Sequence, residues 1–245
     1  MHGLDRRATW GLVVPSRNTV AEAEFHRFIP PGISLNTARA DVRTNVGWAD
    51  DGNFKAMAKA IRAAEPAAIE SLTLIQPDRV VIAEGGFSLT KAEHEALESN
   101  YATVAKAPIT ASGGAYLAAL STLGIKKVGV VTPRLPESGI VSGGLWDECG
   151  YTVTKAIGLG LGSAREIAYL APEKLKQAVV DVAASGAEAV LVTGTNFCLF
   201  EHINALEAAT GKIVLHINAV LMWHALRNGG FSDHVEAGGV LLREH

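Results

Sequence analysis

Two loops of this sequence share one pattern but differ at the position where a reactive side chain would stand. In the first, the apolar residues 80–83 run directly into Glu84. In the second, the apolar residues 190–192 are followed by Thr193 and then Gly194, which has no side chain. An apolar, β-branched run that breaks into small and polar residues is typical of a buried strand that ends in a loop. If the two loops face each other across a cleft, one carboxylate lies opposite a glycine.

Glu84 is the residue that we expect to do chemistry. A carboxylate at the end of a buried strand is partly desolvated, which raises its pKa and suits proton transfer near neutral pH. Gly85 and Gly86 follow it and leave backbone donors accessible to a developing oxyanion. The alternative is a solvated glutamate, or one paired with Lys91 or Arg134. We favour catalysis because a matching loop recurs in the second half of the chain.

Polar residues in three further loops are of the types that bind a carboxylate. Ser16 and Asn18 stand between a strand and a predicted helix, where free backbone N–H groups attract an anion. Arg134 follows another strand and can hold a carboxylate through two hydrogen bonds. Structural alternatives are a helix cap at residues 16–19, a surface arginine, and an Asx turn at residues 194–196. The predicted substrate-binding residues are Ser16, Asn18, Gly85, Gly86, Arg134, Gly194, Thr195 and Asn196.

The remaining reactive side chains favour structural roles. Cys198 lies in an apolar stretch, and we interpret it as a core residue rather than a nucleophile. His216 ends a predicted strand, where a hydrogen-bonded structural histidine is favoured over a second acid. His94 and Glu98 share a helix face, but no third ligand is evident, so no metal site is predicted. Residues 158–163 are rich in glycine and predict a flexible loop, with a lid over the cleft as one option.

The composition fits a globular protein without nucleic-acid or membrane partners. Of 245 residues, 48% are hydrophobic, which is enough for one large core or two smaller ones. The net charge is −3 with both signs mixed along the chain, so no basic surface is indicated. No apolar run reaches membrane-spanning length, and the first residues are charged rather than signal-like. Two cysteines without metal-ligand spacing favour the reducing cytoplasm.

Strand and helix patterns alternate along the chain and predict parallel sheets covered by helices on both faces. Further similar segments, at residues 10–16 and 128–134 and at 108–112 and 214–218, indicate an internal duplication. We therefore predict an α/β fold of two pseudo-symmetric, flavodoxin-like halves, each a parallel four-stranded sheet.

The two halves are predicted at residues 1–125 and 126–245, and the last helix of the first half is a candidate to cross onto the other half. Ligands of such sheets bind outside the carboxyl ends of the strands, so the active site is expected between the halves. Pro66 is expected to kink or split the helix predicted over residues 54–76.

At these loops the sequence resembles the aspartate/glutamate racemase superfamily, and within it the branch of maleate cis-trans isomerase and arylmalonate decarboxylase. The resemblance spans nearly the whole chain. It is carried by residues 14–19, the run around Glu84, residues 132–134, residues 194–196, and Asn218 followed by residues 223–226. The resemblance implies two αβ domains, an active site between them, no cofactor, and a homodimer or higher homo-oligomer.

The catalytic pattern of that family is not kept in this chain. Racemases of the superfamily use two cysteines, one in each half, as opposed acid and base. The matching positions here hold Glu84 and Gly194, and Arg134 stands where the isomerase and the decarboxylase carry a tyrosine. The resemblance therefore implies the fold but no reaction through thiols.

Four functions fit these residues. The favoured one is a cofactor-independent isomerase or tautomerase in which Glu84 moves a proton on a small carboxylate. The second is a cofactor-free decarboxylase with Glu84 as proton donor. The third is a hydrolase of a small amide, imide or lactone, in which Glu84 activates a water beside Gly194. The fourth, a binding protein without catalysis, is disfavoured because a carboxylate is retained at the reactive position. The expected ligand is a small organic anion.

Overall fold

The computed structural model describes residues 6–43, 51–85, 89–135 and 145–245. The strands in these ranges are β1 (Ala8–Pro15), β2 (Ile33–Ala40), β3 (Arg79–Ile82), β4 (Ile109–Thr110), β5 (Lys127–Thr132), β6 (Thr152–Gly158), β7 (Ala189–Val192) and β8 (Ile213–His216). The α-helices are α1 (Ala21–Phe28), α2 (Asp51–Leu72), α3 (Lys91–Ala105), α4 (Ser112–Thr122), α5 (Leu145–Glu148), α6 (Ala164–Ala168), α7 (Pro172–Ala183), α8 (Ile203–Thr210), α9 (Ile217–Asn228) and α10 (Gly239–Glu244). Two short 3-10 helices cover Thr73–Ile75 and Phe200–His202.

The strands form two parallel sheets with the same strand order. The first sheet has the order β2-β1-β3-β4, and the second has the order β6-β5-β7-β8. Every residue of β3 and of β7 is buried, which explains why these segments are continuously apolar instead of alternating with polar residues. The predicted fold class, with two pseudo-symmetric four-stranded sheets in an α/β fold, is confirmed.

The loops of interest leave the carboxyl edge of each sheet. Strands β1 and β3 are parallel neighbours, so the loops after Pro15 and Ile82 emerge side by side. Strands β5 and β7 have the same relation, which brings together the loops after Thr132 and Val192. This topology places the two matching loops, around Glu84 and around residue 194, at equivalent edges of the two sheets.

Each half of the chain contributes a helix that packs against the other half. The hydroxyl of Tyr116, in α4, lies 3.0 Å from the carbonyl oxygen of Val192 and 3.1 Å from that of Leu215, and donates to them. In the opposite direction, the Arg79 guanidinium donates to the carbonyl oxygen of Asn228 at the end of α9. The main apolar cluster accordingly contains residues of both sheets. The predicted division near residue 126 stays a prediction.

The helices differ from the sequence-based expectation at a few points. Helix α2 runs unbroken from Asp51 to Leu72 through Pro66, so a split at Pro66 is wrong, while a kink there stays a prediction. Buried Ala68 and Ile69 follow the proline, and their packing offsets its missing hydrogen bond. The sequence patterns predict no helix at α6 or α10. They do predict one over residues 137–148, whose first part lies outside the described residues and whose end is α5. None of the helices in the described ranges is long and apolar enough to cross a membrane.

We expect Tyr116→Phe to lower the free energy of unfolding by about 1–3 kcal/mol, because two buried carbonyl oxygens lose a donor. Urea unfolding of parent and variant measures the difference. The matched control is Tyr169→Phe, since Tyr169 is 72% exposed and the loss of its hydroxyl should change stability little. Equal stability of the two variants would contradict a structural role for this contact between the halves.

Candidate active site

A cavity of about 110 Å³ lies where the carboxyl edges of the two sheets meet. It is lined by residues of both halves of the chain. Every predicted site residue except Gly86 is among them, and Gly86 lies outside the described residues. The predicted residues that line the cavity are Ser16, Asn18, Glu84, Gly85, Arg134, Gly194, Thr195 and Asn196. The sequence therefore located the cavity, although it did not reveal how each side chain is engaged.

Glu84 stands two residues after β3 and is only 8% exposed, so the alternative of a solvated glutamate is wrong. Its Oε1 lies 3.7 Å from Nη1 of Arg62, a residue of α2 that the sequence analysis did not select. Burial raises the pKa of the Glu84 carboxyl, while the positive charges of Arg62 and Arg134 act in the opposite direction. The group is therefore easier to protonate than an ordinary glutamate, as acid–base chemistry near neutral pH requires.

A second buried carboxyl group belongs to the same cluster. Glu65 lies one helical turn after Arg62 in α2, is 1% exposed, and accepts a hydrogen bond from the Tyr101 hydroxyl. Burial, and then the negative charge of Glu84, raises the pKa of Glu65 to about 8. With a pKa of about 8, Glu65 keeps its proton near neutral pH, so it adds no second negative charge beside Glu84 there.

Arg134 forms part of the cavity wall. Its guanidinium carbon lies 3.4 Å from the ring centroid of Phe54 in α2, and the residue is 8% exposed. Stacking on an aromatic face holds the planar guanidinium in a defined orientation. Arg134 therefore supplies a positioned positive charge from the second half to the cavity wall.

The start of α1 is tied to the second half by amide side chains. The Asn18 side chain donates to Oγ1 of Thr195 at 3.0 Å, and its oxygen accepts from two backbone N–H groups at the helix start. From the other side, Oδ1 of Asn196 accepts from the N–H groups of Thr19 and Val20 at 2.8 and 3.2 Å. The expectation that free N–H groups here bind an anion is therefore wrong, because side-chain oxygens already occupy them.

Ser16 is also engaged within the protein. Its hydroxyl donates to the carbonyl oxygen of Val42 at 3.2 Å and accepts from the N–H of the same residue at 3.1 Å. This pair of hydrogen bonds fixes Val42 against the first loop, where both residues line the cavity. The contribution of Ser16 is thus to shape the wall.

Gly194 does not leave empty space opposite Glu84. A Cβ atom at this position would lie 2.6 Å from the Phe197 ring and 3.3 Å from Pro133. The ring of Phe197, which is fully buried, occupies the room that a side chain at 194 would need. The idea that Gly194 makes room for a water is therefore not supported, and the glycine instead permits close packing of its own loop.

Apolar side chains form most of the remaining wall. They come from the segment before α2, from α2 itself, and from the region of α6, and they are Val42, Phe54, Met57, Ala58, Ile61, Leu161, Ala164 and Ile167. The sequence analysis missed them, because helical spacing in residues 54–61 fits an ordinary core face equally well. The glycine-rich segment is held against the second sheet, with the N–H groups of Gly160 and Leu161 donating to the carbonyl oxygens of Arg134 and Pro133 at 2.9 Å.

The thiols and His216 lie away from the cavity. Cys149 and Cys198 are absent from the described residues that line it. Cys198 is exposed, so its interpretation as a core residue is wrong; its apolar neighbours Phe197 and Leu199 are buried instead. His216 is fully buried, and burial lowers its pKa to about 3, which agrees with a structural histidine.

Fold and cavity together define a two-sheet α/β protein with a carboxyl group in the cleft between its halves. A maleate isomerase from Pseudomonas putida S16, solved with maleate, has this fold with a TM-score of 0.82 at 20% identity, over 96% of this chain and 97% of its own. A Nocardia farcinica maleate cis-trans isomerase with a covalently bound succinylcysteine intermediate gives a TM-score of 0.82 at 20% identity, over 97% and 99% of the chains. A liganded double mutant of arylmalonate decarboxylase has a TM-score of 0.80 at 18% identity, over 97% of this chain and 100% of its own. No protein-family model and no curated protein matches the sequence.

The buried Glu65 predicts how stability depends on pH. Its pKa is raised from 4.5 to about 8 in the folded protein, so it contributes stability that is fully present below about pH 4.5 and is lost as pH rises through about 8. In Glu65→Gln this titration is removed, so the free energy of unfolding should fall less between these pH values than it does in the parent. Urea unfolding at a series of pH values measures the effect, with the exposed Glu70→Gln of the same helix as control. A pH dependence unchanged in Glu65→Gln would contradict the assignment.

Proposed function

We propose that this protein is a cofactor-independent isomerase or tautomerase that moves a proton on an organic acid through Glu84. The observation that carries the proposal is a carboxyl group of raised pKa, buried in a cleft between two halves and flanked by Arg62 and Arg134. We also propose membership of the aspartate/glutamate racemase superfamily, in the branch of maleate isomerase and arylmalonate decarboxylase. The shared fold supports this placement.

The proposed mechanism uses one acid–base group. The Glu84 carboxylate takes a proton from the carbon next to the substrate carboxylate, and the electron pair of that C–H bond moves onto the carboxylate oxygens. Arg134 offsets the negative charge that develops there. Glu84 then returns the proton to a carbon conjugated with the first one, which shifts the double bond; return to the same carbon would only regenerate the substrate. Because Glu84 both takes and returns the proton, the two steps occur on the same face of the substrate.

The cavity also indicates the kind of acid. Its apolar wall, including Phe54, Met57 and Ile61, faces a site with few charged groups among the described residues. Arg17 is the one further cation among the described residues of the wall, so a second carboxylate held anywhere else would lie against apolar side chains, which is unfavourable. We therefore propose an acid that carries an aryl or branched alkyl group, with the carboxylate at Arg134 and the apolar group against α2.

Decarboxylation is the second candidate, and the same apolar wall favours it. A carboxylate held against apolar side chains is destabilised relative to neutral carbon dioxide, and Glu84 in its protonated form would then protonate the resulting carbanion. Hydrolysis is less well supported, because the water expected beside Gly194 meets the ring of Phe197. Binding of a small organic anion and homo-oligomer formation remain proposals.

The function is tested by incubating the protein with aryl- and alkyl-substituted carboxylic and malonic acids in deuterated water. The isomerase or tautomerase proposal requires that NMR show deuterium incorporated at a carbon of the substrate while both the carbon skeleton and the carboxyl groups are retained. Carbon dioxide release would identify the decarboxylase instead. Hydrolysis of a neutral amide, imide or lactone without exchange at carbon would contradict both.

We expect Glu84→Gln to reduce turnover by roughly 10²–10⁴-fold, the usual contribution of a general acid–base group, while the fold and ligand binding are kept. Steady-state rates on the substrate found above measure the loss, and circular dichroism checks the fold. Glu70→Gln, a change of the same kind at an exposed site of α2, is the matched control. A loss below about tenfold would rule out Glu84 as the acid–base group.

We expect Arg134→Ala to weaken binding of a carboxylate ligand by roughly 10–150-fold, because one charged hydrogen-bond partner is lost. Binding of the corresponding neutral amide should change little, and calorimetry measures both. Arg165→Ala is the control, since Arg165 also stacks on an aromatic ring, that of Tyr169, but at the surface. Equal losses for the acid and its amide would show that Arg134 acts through packing on Phe54 and not through its charge.

A further inference from the structure

Behind the cavity, a buried carboxyl group holds the segment of residues 193–200, which we call the cleft loop. Its first part, residues 193–196, lines the cavity. Glu24 of α1 is 6% exposed and is not among the described residues of the cavity wall. Its Oε1 accepts hydrogen bonds from the backbone N–H groups of Leu199 and Phe200, both at 3.1 Å. A side chain of the first half thus binds the far end of a loop of the second half.

Two further side chains extend this contact to the beginning of the loop. The side-chain amide of Asn218 donates to Oε2 of Glu24 at 2.7 Å and to the carbonyl oxygen of Thr195 at 3.0 Å. The Nε2 atom of His216 lies 3.4 Å from the carbonyl oxygen of Gly194. Glu24, Asn218 and His216 come from three different elements, and together they hold the cleft loop at both ends.

These hydrogen bonds determine which nitrogen of His216 carries hydrogen. A carbonyl oxygen can only accept, so Nε2 carries the hydrogen that points to Gly194. In a neutral imidazole, Nδ1 is then a bare acceptor. It lies 3.9 Å from Oε2 of Glu24 and has no hydrogen-bond partner among the residues that the structure describes. If Glu24 is ionised, two acceptors face each other in a buried site, and one proton between them removes this conflict.

We propose that Glu24 is a positioning residue for the cleft loop, and that it shares one titrating proton with His216. In the protonated state the pair is neutral, and the carboxyl O–H of Glu24 points to Nδ1 of His216. Oε2 of Glu24 and Nδ1 of His216 then approach each other by about 1 Å, to hydrogen-bond distance. When solvent takes the proton, the carboxylate binds the N–H groups of Leu199 and Phe200 more strongly and repels the lone pair on Nδ1. The cleft loop, and with it Gly194, therefore has two hydrogen-bonded states.

The charges that surround Glu24 place this change near neutral pH. Burial, with a smaller effect of the negative charge of Glu201, raises the pKa of Glu24 to about 7, while the hydrogen bonds that it accepts oppose the rise. Burial lowers the pKa of His216 to about 3, so the imidazole stays neutral. The Cys198 thiol, whose pKa is raised, also stays neutral, and Arg27 is paired with Glu201. This inference goes beyond the proposed function and does not depend on it.

The first test uses the parent protein without a ligand. Nitrogen-15 NMR should show His216 as the neutral tautomer with hydrogen on Nε2. The backbone N–H signals of Leu199 and Phe200 should shift together between about pH 5 and about pH 9, with a midpoint near the Glu24 pKa of about 7. Hydrogen on Nδ1, or N–H signals that do not titrate in this range, would overturn the proposal.

The second test compares Glu24→Gln with Glu22→Gln, a control on the same helix whose carboxylate pairs with Arg39. In Glu24→Gln the shifts of Leu199 and Phe200 should no longer titrate. Their hydrogen exchange at about pH 8 should be roughly fivefold faster than in the parent, because a neutral oxygen replaces a charged acceptor. The control should behave as the parent does.

A merely structural role of Glu24 would change stability without removing the titration. If the signals of Leu199 and Phe200 still titrate in Glu24→Gln, another group carries the proton and the proposal is wrong. If Glu24→Gln does not fold, the proposal is still tested by the tautomer of His216 and by the titration of the Leu199 and Phe200 signals in the parent. His216→Leu then serves as the second variant: without an acceptor facing the protonated Glu24, the Leu199 and Phe200 signals of this variant should titrate with a lower midpoint than those of the parent, and an unchanged midpoint would overturn the proposal.

Discussion

The cleft depends on buried amide hydrogen bonds that join the two halves at a fixed separation. Asn18 reaches Thr195 from the first half, and Asn196 reaches the N–H groups at the start of α1 from the second. Any sliding of one sheet past the other would leave polar groups unpaired in a buried site, which costs about 1–3 kcal/mol for each group. The relative position of the cavity walls therefore follows from these few contacts, and the residues expected to bind a ligand instead hold the walls together.

With the walls in place, the cleft becomes a low-dielectric environment for a small set of charges. Glu84 is buried beside Arg62, Glu65 is buried behind it, and Arg134 is stacked on Phe54. Desolvation favours the neutral form of each carboxyl group, and the arginines limit that shift. The result is a Glu84 carboxyl group that takes up a proton more readily than an ordinary glutamate, next to a second carboxyl group that is neutral at about pH 7.

The two loops around Glu84 and Gly194 have become unequal in their physical roles as well as in sequence. One carries a charge-bearing side chain into the cleft, while the other has no room for one, since Phe197 occupies the space. The second loop is instead a backbone element, held from behind by Glu24, Asn218 and His216. A duplicated architecture can thus separate its roles, with a buried carboxyl group on one side and a positioned wall on the other.

Much of this arrangement was available from sequence because it depends on local pattern. Continuous apolar runs predicted the buried strands, their alternation with helices predicted two parallel sheets, and the residues that end each strand predicted where the cavity lies. Glu84 and Arg134 were placed at the cavity in this way, since ligands of parallel sheets bind outside the carboxyl ends of the strands. The resemblance of the same loops to the racemase superfamily gave a fold that the solved structures share.

Only the tertiary structure decided which groups touch. Arg62 and Glu65 belong to a helix whose spacing also fits an ordinary surface or core face, so nothing local connects them with Glu84. Asn18 and Asn196 carry the side chains of a ligand site, but their hydrogen bonds join positions far apart in the chain. A residue's type and its place at a strand end can be read from the sequence. Its partner, burial and pKa depend on the packing of distant segments, which a single sequence does not specify.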